Sequence, residues 1–497
     1  MAPTPIRTIS IIQAEQPFPN ILDRSVVVMP RYGVPLIATI LKNAGYDVTT
    51  FVEDIWPINW DILARADVVC FHTLTCAMGR MQRLVEQIRF IRPRVPIIVG
   101  GTHSTYYPES VLAFCDYVVR QEGDQTILDL LDALATGRDP ASVLGVTFHR
   151  DGKTIATPDR PPVETFDTVV DMTTVYGWKD LVTKPGLPFP LLTIQSTRGC
   201  VYSCRFCPVK TMFGRPYRKR SIDSVVADLR DKLQYGKFVM FVDNLFDGDP
   251  KHTAALLQRM IDERLTADYT VFCRSTISKH PDLLRLMKRA GVSSIFLGVE
   301  SLNQASLDNA DKRQKVLDVD LAIHAIRKAG IRPLTSMIMG FDTDTVESFE
   351  FTRKMLRKWH IGQMCIFSLW GGYPHDGELL MPPERWILRD WAYTNGMFVC
   401  HFPLRMKPST LQRQIMLTYD EVFSRRQALR DTLTGYYNQV QWRLFYRMGW
   451  RKTRRDVAAY LPYLEELEKP YYDSNENLLV DKLKDRPDLP WIINQLR

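Results

Sequence analysis

Short apolar runs of strand length alternate with amphipathic stretches of helix length along most of this chain. From about residue 188, strands are predicted at 191–195, 237–242, 269–273, 294–299, 333–339 and 363–369. Helices fall between them at 221–234, 253–265, 281–290, 317–329 and 345–359. Ser221 suits the N-cap of the first helix, with Asp223 in its first turn. Six strand–helix repeats with short connections predict a parallel sheet, here a partial (β/α)6 TIM-like barrel.

Residues 6–140 carry a second alternation. Strands are predicted at 8–13, 47–51, 67–71, 95–99 and 117–119, and helices at 34–44, 78–89 and 125–135. This is the pattern of a doubly wound, Rossmann-like parallel sheet. No Gly-x-Gly-x-x-Gly follows the first strand, so the dinucleotide fingerprint is absent. Between the two units, residues 141–187 mix Asp, Gly, Pro and Thr and read as a linker. It holds a small hairpin at 145–157 that turns at Asp151-Gly152. The expected division of this α/β chain is 1–140, 141–187, 188–400 and a mainly helical 401–497.

Composition changes this picture little. The chain has 497 residues, 45% hydrophobic and 24% charged, which is ordinary for a globular protein. No apolar run approaches the ~20 residues that span a bilayer. Met1-Ala2-Pro3-Thr4-Pro5 lacks a signal-peptide pattern, so a reduced, cytoplasmic location is expected. The net charge of +8 is modest for the size, and no nucleic-acid partner is expected from it.

The candidate chemistry lies in Thr197-Arg198-Gly199-Cys200-Val201-Tyr202-Ser203-Cys204-Arg205-Phe206-Cys207-Pro208. A loop with this spacing can turn three thiolates towards one point, and three thiolates can hold an iron–sulfur cluster with one iron left open. A zinc site or three buried thiols are the other readings. A structural zinc wants four ligands, and no second Cys-x-x-Cys pair exists. Nine cysteines, an odd number, argue against a disulfide scaffold.

In parallel α/β sheets, ligands bind beyond the carboxyl ends of the strands. Those ends carry Asp243 and Asn244, Arg274, Gly298-Val299-Glu300-Ser301, and Met339-Gly340-Phe341-Asp342. A cationic amine suits carboxylate or amide oxygens, ribose hydroxyls suit Glu and Ser, and glycine lets backbone approach a flat base. Asp and Asn after a strand are also ordinary turn formers.

The cysteine trio resembles the signature of the radical S-adenosylmethionine (SAM) superfamily. The resemblance implies a [4Fe-4S] cluster on Cys200, Cys204 and Cys207 whose open iron chelates SAM. Reductive cleavage of the sulfonium then gives a 5′-deoxyadenosyl radical. It further implies Phe206 near the adenine, Asp243 and Asn244 at the SAM amino group, and Arg274 among the SAM contacts. Glu300 and Ser301 would meet the ribose and methionyl parts, and Met339 and Gly340 the adenine. The run Tyr217-Arg218-Lys219-Arg220-Ser221 has a counterpart in relatives. An arginine there could neutralise a carboxylate or phosphate, or the run could be a solvated loop.

The N-terminal unit resembles the cobalamin-binding domain fused to many radical SAM enzymes. The resemblance rests on Pro30-Arg31-Tyr32-Gly33-Val34-Pro35-Leu36, Val99-Gly100-Gly101-Thr102-His103 and Gln121-Glu122-Gly123-Asp124. It implies cobalamin contacts from Gly33, Val34, Thr73, Leu74, Thr75, Gly100, Gly101, His103, Glu122 and Gly123. The Asp-x-His-x-x-Gly motif is missing, so cobalamin is expected without histidine ligation from it. The alternative is a domain that has lost cobalamin and serves as scaffold.

After 369 the turn-rich Trp370-Gly371-Gly372-Tyr373-Pro374-His375-Asp376-Gly377 is expected to cap the barrel and line a substrate pocket. Relatives carry a Pro-Gly-Thr element there, which is altered here. Gln441-Trp442-Arg443-Leu444-Phe445-Tyr446-Arg447-Met448-Gly449-Trp450-Arg451-Lys452 reads as a basic aromatic helix. It is either a core helix with a solvated Arg/Lys face or a contact with an anionic membrane surface. Together the resemblances imply cobalamin-dependent methylation of an unactivated carbon on a hydrophobic small molecule, as on tetrapyrroles or hopanoids. A radical cyclisation or rearrangement with the same cofactors is the alternative, and a non-catalytic carrier a third. A low-potential electron donor, flavodoxin-like or ferredoxin-like, is the expected protein partner.

Overall fold

The computed structural model describes residues 5–18, 27–184, 187–375, 377–489 and 492. Met1 to Thr4 and Asp376 lie outside the described residues. The N-terminal elements are β1 (Thr8–Gln13), α1 (Gly33–Asn43), β2 (Asp47–Val52), β3 (Val68–Thr73), α2 (Met78–Ile91), β4 (Ile97–Gly101), β5 (Tyr117–Val119) and α3 (Thr126–Thr136). β6 (Val146–Arg150) and β7 (Lys153–Ala156) follow. The sheet order is β2-β1-β3-β4-β5-β6-β7, parallel through β5 and antiparallel beyond it.

Strand periodicity divides the core. Ile9 and Ile11 of β1 pack with α1 and α3, through Val34, Leu41 and Leu130. Ile12 and Val69 pack on the other face with α2, through Met81, Leu84 and Val85. Buried strands with helices on both faces give the expected doubly wound sheet. The hairpin turns at Asp151-Gly152 as expected, both at positive φ. It is no free linker, however. β6 pairs with β5, so the N-terminal sheet runs past residue 140.

The second unit contains β8 (Leu192–Ile194), β9 (Thr197–Arg198), β10 (Arg218–Lys219), α4 (Ile222–Leu233), β11 (Phe238–Phe241), α5 (Pro250–Asp262), β12 (Asp268–Cys273), α6 (Pro281–Arg289), β13 (Val292–Glu300), α7 (Val316–Lys328), β14 (Arg332–Met339), α8 (Val346–Lys358) and β15 (Met364–Ser368). β8, β11, β12, β13, β14 and β15 pair in chain order, all parallel. That is the open six-stranded half-barrel the alternation predicts. Ser221 caps α4, its Oγ accepting from Ser224 N at 3.2 Å.

The basic run before α4 is a correction to the solvated-loop reading. Arg220 and Asp228 are buried and paired at 2.9 Å, and Lys232 closes on the same carboxylate. Arg220 also reaches Tyr32 Oη at 3.3 Å and Thr168 O at 2.9 Å. One buried guanidinium thus ties the N-terminal unit, the connector and the barrel together.

The C-terminal region is helical: α9 (Pro408–Val422), α10 (Arg425–Leu433) and α11 (Tyr437–Glu468). Tyr446 and Trp450 of α11 are buried in the barrel's core cluster, and Trp442 and Phe445 pack against it. The aromatic side of this helix is therefore a core face. No helix among the described residues is long and apolar enough to cross a membrane.

Candidate active site

The carboxyl ends of the two sheets face one another across a cavity of about 410 Å3. Apolar side chains of β1, β3 and β4, namely Ile11, Cys70 and Ile98, line one side with Gly100 and Gly101. Gln195, Arg198, Val242 and Asn244 line the barrel side, with Pro208 and Met212 just beyond the cysteine loop.

The cysteine loop is positioned by its neighbours. Gly199 precedes Cys200 at φ +85°, and a Cβ there would stand 2.4 Å from Pro216 O. Only glycine fits. Arg205 N donates to Ala310 O at 3.0 Å, and Cys207 N to Cys204 O at 3.0 Å. All three thiols are free, with Cys204 buried. Arg274 Nη1 stands 3.7 Å from Cys204 Sγ, and its guanidinium lies 3.7 Å over the Tyr202 ring. Burial pushes the Cys207 thiol up to about 12 and also raises Cys200. Nearby Lys312 opposes both shifts, and Arg274 that of Cys200.

The three thiols are electrostatic neighbours: Cys200 and Cys204 both act on Cys207. Among the described residues no three His, Cys, Asp or Glu side chains stand as ligands of a single ion would. A cubane needs no such convergence, because each thiolate binds a different iron. Three free thiols beside two cations fit a cluster as a donor set.

Of the expected SAM contacts Asn244 lines this cavity, whereas Phe206, Asp243, Arg274, Glu300, Ser301, Met339 and Gly340 do not. Asn244 lines the cavity, its Oδ1 accepting from Gly199 N at 3.1 Å. Phe206 is half-buried, 6.1 Å from the Phe341 ring, with Lys312 Nζ 5.9 Å from its centroid. Glu300 ends β13 at φ +63°, where the register with β14 shifts. Its carboxylate accepts from Lys312 Nζ at 3.0 Å and Ser336 Oγ at 3.2 Å. A Cβ on Gly298 would stand 2.8 Å from Glu300 Oε1. Ser301 Oγ accepts from Asn303 N at 3.0 Å.

Asp243 has a different task from the one expected. Oδ1 accepts from Ser196 N and Thr197 N, and Oδ2 from Ser196 Oγ, all at 2.7 Å. It braces the chain that leads into the cysteine loop. Burial raises its carboxyl to about 6 against those bonds. Met339 is fully buried, and the close approach at Gly340 is made by His401, whose Nε2 meets Gly340 O at 2.9 Å.

Of the expected cobalamin contacts, Gly33, Val34, Gly100, Gly101, Glu122 and Gly123 share the cavity wall. Thr73, Leu74, Thr75 and His103 do not line it. Thr73 is buried behind Gly101, its Oγ1 donating to Gly100 O at 3.2 Å. Leu74 is half-buried on the same turn. Thr75 Oγ1 meets Tyr373 Oη at 2.5 Å. His103 is buried against Trp391 and bonds Ser110 Oγ at 3.0 Å, which takes it off the cavity. Glu122 lines the wall, but its carboxylate is held by Arg218. Arg198 pairs with Asp124 at 2.9 Å and approaches Glu122 at 3.6 Å. Burial works against the Arg198 charge, yet the two carboxylates outweigh it and raise its pKa. The Glu-Gly-Asp turn is thus the seam between the two units.

Sequence reasoning missed three participants: Arg198, Lys312 and His72. His72 shares the cavity wall with Cys70. Its Nδ1 is buried without a hydrogen-bond partner, and burial lowers the imidazole to about 3. The signal was the strand period, which puts residues 70 and 72 on one face. A glycine-edged, mostly apolar cavity with a neutral imidazole fits a large flat macrocycle or its nucleotide tail. The capping loop crosses the same seam. Tyr373 stacks on Tyr106 at 4.6 Å, and Tyr107 Oη donates to Gly372 O.

Residues 194–356 match the radical SAM superfamily, and residues 21–131 match the B12-binding domain. The anaerobic magnesium-protoporphyrin IX monomethyl ester cyclase of Rubrivivax gelatinosus is 26% identical over 82% of this chain and 76% of its own. The hopanoid C-2 methylase of Rhodopseudomonas palustris is 24% identical over 82% of this chain and 76% of its own. The structure of the radical SAM methyltransferase TsrM from Kitasatospora setae, with cobalamin and a [4Fe-4S] cluster bound, shares the fold. The TM-score is 0.65 at 16% identity, over 91% of this chain and all of that one.

Proposed function

We propose, from the premise that this chain is a radical SAM enzyme with a B12-binding domain, that it methylates an unactivated carbon of a hydrophobic small molecule. Its cofactors are a [4Fe-4S] cluster, SAM and cobalamin. When bound they supply a 5′-deoxyadenosyl radical and a methyl carrier. The observation that carries the reading is the cavity that the two sheets share, with Pro208 and Val209, which follow Cys207, in its wall.

The chain's own residues then divide the work. Cys200, Cys204 and Cys207 hold the cluster, and Arg274 and Lys312 set positive charge against it. Asn244, Phe206, Glu300 and Ser301 flank SAM, while Asp243 holds the loop in place. Residues 1–140 with the following hairpin hold the corrin, 188–400 the cluster and SAM, and 401–497 close the barrel. Holding the reactants in line and excluding water supplies much of the rate. The mostly apolar wall, and relatives named for a tetrapyrrole and a hopanoid, support a hydrophobic substrate. A low-potential flavodoxin-like or ferredoxin-like donor and a cytoplasmic location complete the reading.

Anaerobic protein incubated with methyl-labelled SAM, reductant and a cell extract tests it. Label in a lipophilic product is expected, together with 5′-deoxyadenosine. Cys204→Ala should lose bound iron and both products. The cyclase relative favours a second reading, oxidative ring closure. Accumulation of 5′-deoxyadenosine with no labelled product would select it.

A further inference from the structure

The C-terminal helices carry a feature that the cofactor site leaves unused. On α11, Tyr437, Leu444 and Met448 are 67%, 43% and 54% exposed. With the exposed Arg455 they recur at the spacing of one helix stripe. The buried residues Gln439, Tyr446, Trp450, Val457 and Leu464 form the opposite stripe. On α10, Leu429 and Leu433 are 60% and 77% exposed, opposite the buried Gln427 and Asp431. Leu433 and Tyr437 flank the turn that joins the two helices, so the outward stripes meet there.

Charge surrounds these apolar tips. Residues 424–456 contain nine Lys and Arg against two Asp, in a chain whose whole net charge is +8. Asp431 is buried and already paired with Arg443. Arg425, Arg426, Arg430, Arg451 and Arg455 are exposed, and among the described residues none of them forms an ion pair.

We propose that the outward face of α10 and α11 is a docking surface for an anionic lipid bilayer. Outward leucines and methionine would enter the headgroup boundary, and the arginines would meet lipid phosphates. No helix among the described residues is long and apolar enough to cross a membrane, so the proposal places the chain on the surface. Charge argues against a second copy as the occupant, because a symmetric pairing would set five unpaired arginines against five. This face is independent of the reaction proposed above.

The test is flotation of the cluster-loaded full chain with two kinds of vesicle. One is phosphatidylcholine alone, and the other includes about a third phosphatidylglycerol. Binding is expected to the second only and to fall steeply with salt. Arg425→Gln with Arg430→Gln should weaken partitioning about twenty-five-fold, at about fivefold for each charge. Leu429→Ser with Leu433→Ser should weaken it at least tenfold. Iron content and SAM cleavage should stay unchanged in both. Equal binding to both vesicles, or none to either, overturns the proposal. So does a concentration-dependent dimer in sedimentation that the leucine substitutions abolish.

Discussion

Two parallel sheets end on one cavity with opposite chemistry. The N-terminal side brings glycine backbone and aliphatic side chains, at Gly33 of α1 and Gly100, Gly101, Ile11 and Ile98 of the sheet, with its acids Glu122 and Asp124 held at the seam. The barrel side is polar and charged, with Asn244 and Arg198 on the cavity wall. Glu300 pairs with Lys312 at its strand ends, and Arg274 stands beside Cys204. The first is built to admit something large and flat by shape. The second is built to hold charge out of water, with Lys312 beside Glu300 and backbone amides on Asp243. The same α/β logic therefore yields a receptor on one side and a reactive centre on the other. What separates them is the residues at the strand ends, since the strands themselves are equally apolar.

The largest effect should come from the seam that both sides share. Arg198→Met leaves the part-buried carboxylate of Asp124 without its cation, while Glu122 keeps Arg218. Breaking a buried pair from one side costs about 3–5 kcal/mol. Calorimetry should show the single transition splitting, with the N-terminal unit melting first. Arg198→Met combined with Asp124→Asn should recover part of the loss. An unchanged melting profile would mean that the two units are not held through this turn.

Most of the fold was legible because local pattern and tertiary role agree in parallel α/β architecture. All six barrel strands fall where the apolar runs are, and Ser221 caps its helix as its side chain dictates. What was not legible concerns where side chains turn after a strand ends. Asp243 reads as a ligand for an amine, but the backbone amides of Ser196 and Thr197 reach it first. His103 lies just after the paired glycines, yet the short helix that begins at Thr102 carries it away towards Trp391. Glu122 and Asp124 read as a cofactor turn, and their partners Arg218 and Arg198 lie more than seventy residues away. Such pairings depend on packing between units, which spacing along one chain does not encode.

A second experiment separates the barrel side alone. Asp247 follows β11, and its Oδ1 is buried without a hydrogen-bond partner. Burial raises its carboxyl to about 7. The unfolded chain ionises this group near pH 4, whereas the folded chain keeps it neutral until about 7. Stability from the neutral form is therefore complete below pH 4 and is lost as pH rises towards 7. A shift of about three units corresponds to up to about 4 kcal/mol above pH 7. Asp247→Asn should remove that slope. Melting of the cofactor-free protein should be higher for the variant at pH 8, with the gap closing by pH 4. A gap independent of pH would show that the carboxyl is solvated in the folded protein.

The smallest and most selective effect concerns the glycine side. Gly101 sits at φ +113°, and a Cβ there would stand 2.6 Å from Thr73 O and 2.9 Å from Thr73 N. Both neighbours are backbone of the adjacent strand, so Gly101→Ala must either push β3 and β4 apart or keep the strain. A backbone forced into this region costs about 1–3 kcal/mol. Gly33 is the matched control, because it lies on the same cavity wall in helical conformation with nothing within 4 Å of its would-be Cβ. Gly33→Leu should leave the melting temperature almost unchanged and project its side chain into open space. If the N-terminal side recognises its ligand by shape, both variants should lose cobalamin, read by its absorbance after gel filtration. Both should retain iron on the cysteine loop. Only Gly101→Ala should also lower the melting temperature. Full cobalamin retention by Gly33→Leu would break the comparison, because the glycines would then serve the sheet edge and not the ligand.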